Sequence, residues 1–157
     1  MKDSLEIVTA LLRRDDMEGL RLAPYLCPAG YWTIGCGNRY LEDGTPVTAK
    51  TKPITEQEAN ALLRTTLLEL RKKQRDMVHV PLVPCQEGAL LSWQFNIGTA
   101  VMRSSTLLRL LNQRFYEAAG QQLLRWDKAT IRGDLVVLPG LKRRRLLELR
   151  VYRGQLQ

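Results

Sequence analysis

The residues best equipped for chemistry in this chain fall close together. Glu18-Gly19-Leu20-Arg21-Leu22 is followed by Tyr25, by Cys27 and by Tyr31-Trp32-Thr33-Ile34-Gly35-Cys36-Gly37. A carboxyl group gives or takes a proton, an ionised thiol is a base or a nucleophile, and a hydroxyl holds water by hydrogen bonding. A lone Glu just past a helix end is usually a solvated surface residue, so it is the company around Glu18 that marks it. The other candidates are weaker. His79 is the only histidine, which excludes a multi-histidine metal site, and between Val78 and Val80 it reads as structural or exposed. The cysteines, Cys27, Cys36 and Cys85, are odd in number and irregularly spaced. That argues against a disulfide framework, and no CxxC pair suggests zinc, so three free thiols are expected.

The segment resembles the active-site signature of the phage-type lysozymes, glycoside hydrolase family 24. That signature is a Glu, eight residues, an Asp or Cys, five residues and a Thr, and Glu18, Cys27 and Thr33 match it without a gap. The resemblance continues in Phe95-Asn96-Ile97-Gly98, Ser105-Thr106-Leu107-Leu108, Leu111-Asn112, Glu117-Ala118-Ala119, Arg125-Trp126 and Gly140-Leu141 with Arg143-Arg144, and so spans about residues 5–152. Any one fragment is weak; several in order are strong.

The resemblance implies a muramidase, with Glu18, Cys27 and Thr33 catalytic, Phe95 and Thr106 lining the saccharide site, and no metal or organic cofactor. The chemistry is coherent. Glycoside hydrolysis needs a proton for the leaving oxygen and a group on the opposite sugar face to handle water or the oxocarbenium charge. A Glu walled by aromatic and aliphatic side chains can stay protonated as the acid. Position 27 departs from the carboxylate most glycosidases use. An unperturbed thiol carries little charge at neutral pH unless nearby cations draw its proton off, and base, nucleophile and small buried apolar residue all stay open for Cys27. Phe95 beside Trp93 could equally be core, and Thr106 could N-cap a helix. Asn38 stands where the resemblance suggests a structural His. A lytic transglycosylase, which needs only the acid, is a second reading, against which Thr33 counts. A catalytically silent wall-binding protein is a third, to which Cys27 alone lends weight.

The elements that must position these residues follow from pattern. Leu5, Val8 and Leu12 place an amphipathic helix over 4–14, with Asp3 and Glu6 as a capping box. From Leu22 to Val47, glycines and prolines interleave with aromatic and β-branched residues, which fits short antiparallel strands and tight turns. Thr55 and Glu58 form a second capping box, opening a helix that runs towards Met77. Beyond Met77 the chain reads as helical almost throughout. Pro84 begins one helix and Gly98 ends it, shorter segments cover 106–112 and 115–126, and a Gly-containing loop leads to a basic helix from Leu141 to about Tyr152. There the leucines are expected in the core and the arginines in water. The fold class expected is α+β and lysozyme-like: one domain over 1–157, with an N-terminal helix (1–14), a hairpin lobe carrying the active site (15–55), a connecting helix (56–78) and a helical lobe (79–157), the cleft lying between the lobes.

Composition sets the remaining bounds. The 157 residues are 45% apolar and 25% charged, ordinary for a globular protein, and 24 Lys and Arg against 16 Asp and Glu give a formal charge of +8. Such a charge attracts polyanions, but no RNP motif, zinc-finger spacing or helix-turn-helix signature is present, so nucleic acid is not the expected partner. Residues 1–14 carry Asp3 and Glu6 and no apolar stretch, so neither a signal nor an anchor is expected. By analogy with the family, the protein would be a monomer in the host cytoplasm and reach peptidoglycan glycan strands once a holin opens the inner membrane.

Overall fold

The first helix, α1 (Ser4–Leu12), begins where Asp3 accepts the Leu5 N–H at 3.3 Å. Asp3 thus caps the helix through the Leu5 N–H and not as the reciprocal box with Glu6 that the spacing suggests, and its carboxylate also binds Arg71 at 2.9 Å. The helix ends two residues earlier than its apolar pattern predicts, because the backbone N–H groups of Glu18 and Gly19 both turn back onto the Leu12 carbonyl at 3.1 Å. A hairpin follows, of β1 (Arg21–Leu26) and β2 (Trp32–Gly35), and then an irregular stretch held by single bridges between Ile34 and Asn38 and between Tyr40 and Pro46. The Thr55–Glu58 capping box forms as read. The Glu58 N–H donates to the Thr55 hydroxyl at 3.1 Å and the Thr55 N–H to the Glu58 carboxylate at 3.0 Å, opening α2 (Glu56–Met77).

This computed structural model describes residues 2–156. The remaining elements are α3 (Pro84–Ile97), α4 (Thr99–Arg103), α5 (Thr106–Asn112), α6 (Tyr116–Gln121), a single 3-10 turn (Gln122–Arg125), β3 (Lys128–Ile131), β4 (Asp134–Val137) and α7 (Pro139–Tyr152). Pro84 stands in the first turn of α3 and Gly98 at its end, as the sequence predicts. The chain divides into two compact units: one of residues up to Val8 with those from Leu70 onward, the other of Thr9–Glu69. In the Thr9–Glu69 unit, Ile34, Val47 and Leu62 form an apolar centre on which Trp32, Leu41 and Ile54 pack. In the other, α3 packs chiefly on α7, and Leu90, Leu91, Trp93, Leu107, Leu111 and Leu123 are buried. Each such aliphatic side chain contributes roughly 1.5–3 kcal/mol.

Two expectations are corrected. The stretch before the last helix is not a loop in a helical region but a second hairpin, β3 paired with β4 in regular register from Lys128↔Val137 to Ile131↔Asp134. Its strands have only four residues each and are exposed, so they lack the in–out alternation that marks a half-buried strand. The second correction concerns α7. Arg144 and Arg145 are buried along with Glu148, while Leu146 is 45% exposed. The helix period turns positions 144, 145, 148, 149 and 152 to one side, and a polar network makes burial of the guanidinium groups tolerable. Arg145 donates to the Trp126 carbonyl at 2.8 Å and to Glu148 and Asn96, and Arg144 donates to the Ser92 carbonyl at 3.0 Å and to Glu148. Ser92 closes it, its hydroxyl donating to Glu148 at 2.6 Å. Removing one member of such a network leaves a buried charge without its partner, at a cost of about 3–5 kcal/mol.

Candidate active site

Glu18 is set in place by the reverse turn that ends α1, where its own N–H and that of Gly19 bind the Leu12 carbonyl. Its half-buried side chain lies flat against the backbone of the turn after β2. A Cβ built on Gly37 would stand 2.6 Å from the Glu18 Oε2 and 2.8 Å from its Cδ, and Gly37 has φ +86°. Only glycine meets both conditions, the left-handed backbone and the carboxyl resting on it. The turn is closed by Ile34 and Asn38, whose N–H and C=O groups exchange bonds of 2.9 and 3.0 Å. Asn38 is itself anchored, its amide donating to the Thr66 hydroxyl at 2.9 Å.

Cys27 and Thr33 come from the two ends of the first hairpin's loop. Pairing of Tyr25 with Thr33 and Leu26 with Trp32 brings them together, and the register shifts between Arg21 and Tyr25, around Pro24, which has no N–H to give a ladder. The Cys27 N–H donates to the Tyr31 carbonyl at 2.9 Å, and the Gly30 N–H returns to the Cys27 carbonyl at 2.8 Å. Thr33 is buried, and its hydroxyl donates to the same Tyr31 carbonyl at 2.9 Å. The hydroxyl has one proton, which the Tyr31 carbonyl takes, so its lone pairs remain to accept.

The electrostatics divide the two cysteines. Burial raises the Cys27 thiol somewhat, but hydrogen bonds from the Tyr31 and Ala29 backbone, the Thr33 hydroxyl and the Arg39 charge together hold it below the ordinary thiol range. Burial pushes the Cys36 thiol up; the Arg13 charge opposes this and the Glu18 charge adds to it. Tyr25 is also pushed up, by burial first and then by the Glu18 charge, with Arg21 held 4.5 Å over its ring working the other way. Tyr25 therefore lies near enough to Glu18, Cys27 and Cys36 to feel their charge, and Cys36 near enough to feel that of Glu18. The three cysteines are free thiols.

The other sequence candidates lie in the unit that holds the residues from Leu70 onward. Phe95 is half-buried on α3, next to the fully buried Trp93. Thr106 is the first residue of α5 but not its cap; the Ser105 hydroxyl accepts the Leu108 N–H at 3.1 Å, which corrects the capping assignment. His79 is exposed, its backbone N–H bound to the Asn112 side chain at 2.8 Å. Sequence reasoning missed Arg39, whose guanidinium stacks 3.7 Å over the Tyr31 ring. The contact joins residues on opposite sides of the Gly35–Gly37 turn, and no spacing rule marks it.

Comparisons with known proteins bear on the family and the fold. The phage lysozyme family model matches residues 15–148. The endolysin of Salmonella phage P22 is 38% identical over 149 residues, 95% of this chain and 99% of that protein. An endolysin of Acyrthosiphon pisum secondary endosymbiont phage 1 is 36% identical over 135 residues, 86% of this chain and 88% of that protein. Among solved structures, an endolysin from Escherichia coli O157:H7 phage FAHEc1 superposes with a TM-score of 0.83 at 28% identity, covering 97% of this chain and 91% of that one. The fold is thus α+β and lysozyme-like. By the match of its sequence and of its fold, the chain belongs to the phage lysozyme family of glycoside hydrolases.

Proposed function

We propose that this lysozyme is an endolysin muramidase that hydrolyses the β-1,4 bond between N-acetylmuramic acid and N-acetylglucosamine in peptidoglycan, with Glu18 as general acid. The observation that carries the assignment is the seat of the Glu18 carboxyl on Gly37, beside a hairpin that brings Cys27 and Thr33 onto one carbonyl. Glu18 protonates the leaving oxygen. Thr33, its proton engaged by the Tyr31 carbonyl, offers its lone pairs to a water, and ionised Cys27 takes the proton as that water attacks the anomeric carbon. Solvent then returns the proton from Cys27 to Glu18. Phe95 and Thr106 are proposed saccharide contacts on the strength of the motif they match.

Glu18→Gln keeps the shape and removes the proton, so bacteriolysis should fall by at least about 10²-fold while folding persists. Near-normal activity in the folded variant refutes the assignment. Mass analysis of the digested glycan should give hydrated reducing ends, and an NMR time course should show inversion at the anomeric carbon. Anhydro ends would indicate a transglycosylase, and no cleavage at all a silent wall-binding protein.

Release is proposed to need a holin. No helix among the described residues is long and apolar enough to cross a membrane. Induction in bacteria lacking a holin should therefore leave cells intact with the protein in the cytosolic fraction. Lysis on induction alone would overturn that route.

A further inference from the structure

Arg39 lies outside the signature residues, yet three contacts tie it to them. Its guanidinium stacks 3.7 Å over the Tyr31 ring. The Tyr31 carbonyl in turn accepts the Cys27 N–H and the Thr33 hydroxyl, each at 2.9 Å. The Arg39 backbone is pinned as well, its carbonyl accepting the Val47 N–H at 2.8 Å, with Val47 in the apolar centre of the same unit. A cation is thus held by a fixed backbone at one end and an aromatic face at the other, above the residue whose carbonyl both Cys27 and Thr33 bind.

We propose that Arg39 is a positioning residue that, stacked over Tyr31, holds the Cys27–Tyr31 loop in register and places a cation at the end of the hairpin where the catalytic position is a cysteine and not a carboxylate. The inference rests on the proposed role of Cys27 as base. A carboxylate is charged at neutral pH without help, whereas a thiol of ordinary acidity is mostly neutral there. A thiol in the catalytic position therefore requires a nearby positive charge. The charged and titratable groups around this end of the hairpin are Arg39 and Tyr31 on the turn side, Tyr25 and the Arg21 above it on β1, and Glu18 and Cys36, which act on Tyr25. Arg21 is occupied 4.5 Å over the Tyr25 ring, whereas Arg39 stacks on Tyr31, the residue whose carbonyl binds the Cys27 N–H, and its charge is among the influences that lower the Cys27 thiol. The planar guanidinium suits a stacked clamp in a way that an ammonium does not.

The test reads the thiol itself. Alkylation of Cys27 by iodoacetamide, followed by peptide mass mapping as a function of pH, should show the Arg39→Gln reaction slowed roughly three- to tenfold at neutral pH, with its midpoint moved to higher pH. Arg39→Lys should recover part of the rate, and Lys50→Gln, which removes another cation from the same unit, should leave it unchanged. Circular dichroism and continued protection of buried Cys36 verify that the variants are folded. Because the site is partly exposed, high salt should bring Arg39→Gln and the parent together. An alkylation profile unaltered by Arg39→Gln overturns the proposal, and so does a difference that persists undiminished in high salt, which would make Arg39 a mechanical clamp only. If the profile shifts as expected but Cys27→Ser lyses bacteria normally, the hold of Arg39 on the thiol stands and it is the catalytic role of Cys27 that fails.

Discussion

The chain builds two small antiparallel hairpins and treats them oppositely. In the first, β2 sinks inward: Thr33, Ile34 and Gly35 are buried and the loop is crossed by bonds to the Tyr31 carbonyl. In the second, every residue of β4 is exposed, Leu135 by 69%, and a Cβ built on Gly133 in its turn would meet nothing. Both regions use left-handed backbone: Gly37 at φ +86° in the turn that follows β2, and Arg132 and Gly133 at +52° and +85° in the turn of the second hairpin. The difference teaches that the conformation of a turn and its cargo are separate matters. At Gly37 the missing side chain makes room for a carboxyl, whereas at Gly133 it only eases the backbone.

The sharpest way to break the comparison is to add one methyl group to each turn. Gly37→Ala places a Cβ where the Glu18 carboxyl lies, so the carboxyl must move, and displacement of a catalytic group by about 1 Å can cost 10²-fold in rate. Lytic activity should drop by roughly that factor or more, with a stability loss of about 1–3 kcal/mol from the positive φ. If Gly37→Ala lyses bacteria normally, the seat of Glu18 is not what the turn is for.

Next in size is the thiol. Cys27→Ser should lose about tenfold or more in activity, whereas Cys27→Asp should retain it. The sign of the pH dependence follows from the base role. A base works only when ionised, so the parent should lose activity as pH falls through the acidity of Cys27, which lies below the ordinary thiol range. An Asp at that position should move the acid limb lower still, because its proton leaves at lower pH. Rate profiles from pH 4 to 9 measure both. A Cys27→Ser enzyme as active as the parent would make the sulfur a spectator.

The smallest effects belong to the second hairpin. Gly133→Ala should cost about 1 kcal/mol of thermal stability and nothing in turnover, since a Cβ there meets open space at a left-handed φ. Leu135→Thr, on an exposed strand, should stay within about 0.5 kcal/mol of the parent in denaturant melts. A loss of lysis from either change would show that this hairpin, too, carries function.

What the sequence determined by itself was local. The Thr55–Glu58 capping box, Pro84 and Gly98 at the two ends of α3, and the spacing of Glu18, Cys27 and Thr33 are all set within a few residues, where backbone sterics and short hydrogen bonds decide. The hairpin carrying the signature was legible because its aromatic and β-branched residues alternate with turn-forming glycines. Tertiary structure decided what depends on residues far apart in the chain. An arginine in a basic helix gives no sign that it will be buried. Arg144 and Arg145 are buried because Ser92, Asn96, Trp126 and Glu148 converge to bind them. Nor does Arg39 announce a place over Tyr31, which exists only once the Gly35–Gly37 turn has folded back. The exposed second hairpin escaped for the complementary reason: strands that pack on little leave no alternating pattern to read. Propensity and capping act over one turn of chain, whereas desolvation of a charge is settled only by the neighbours that folding supplies.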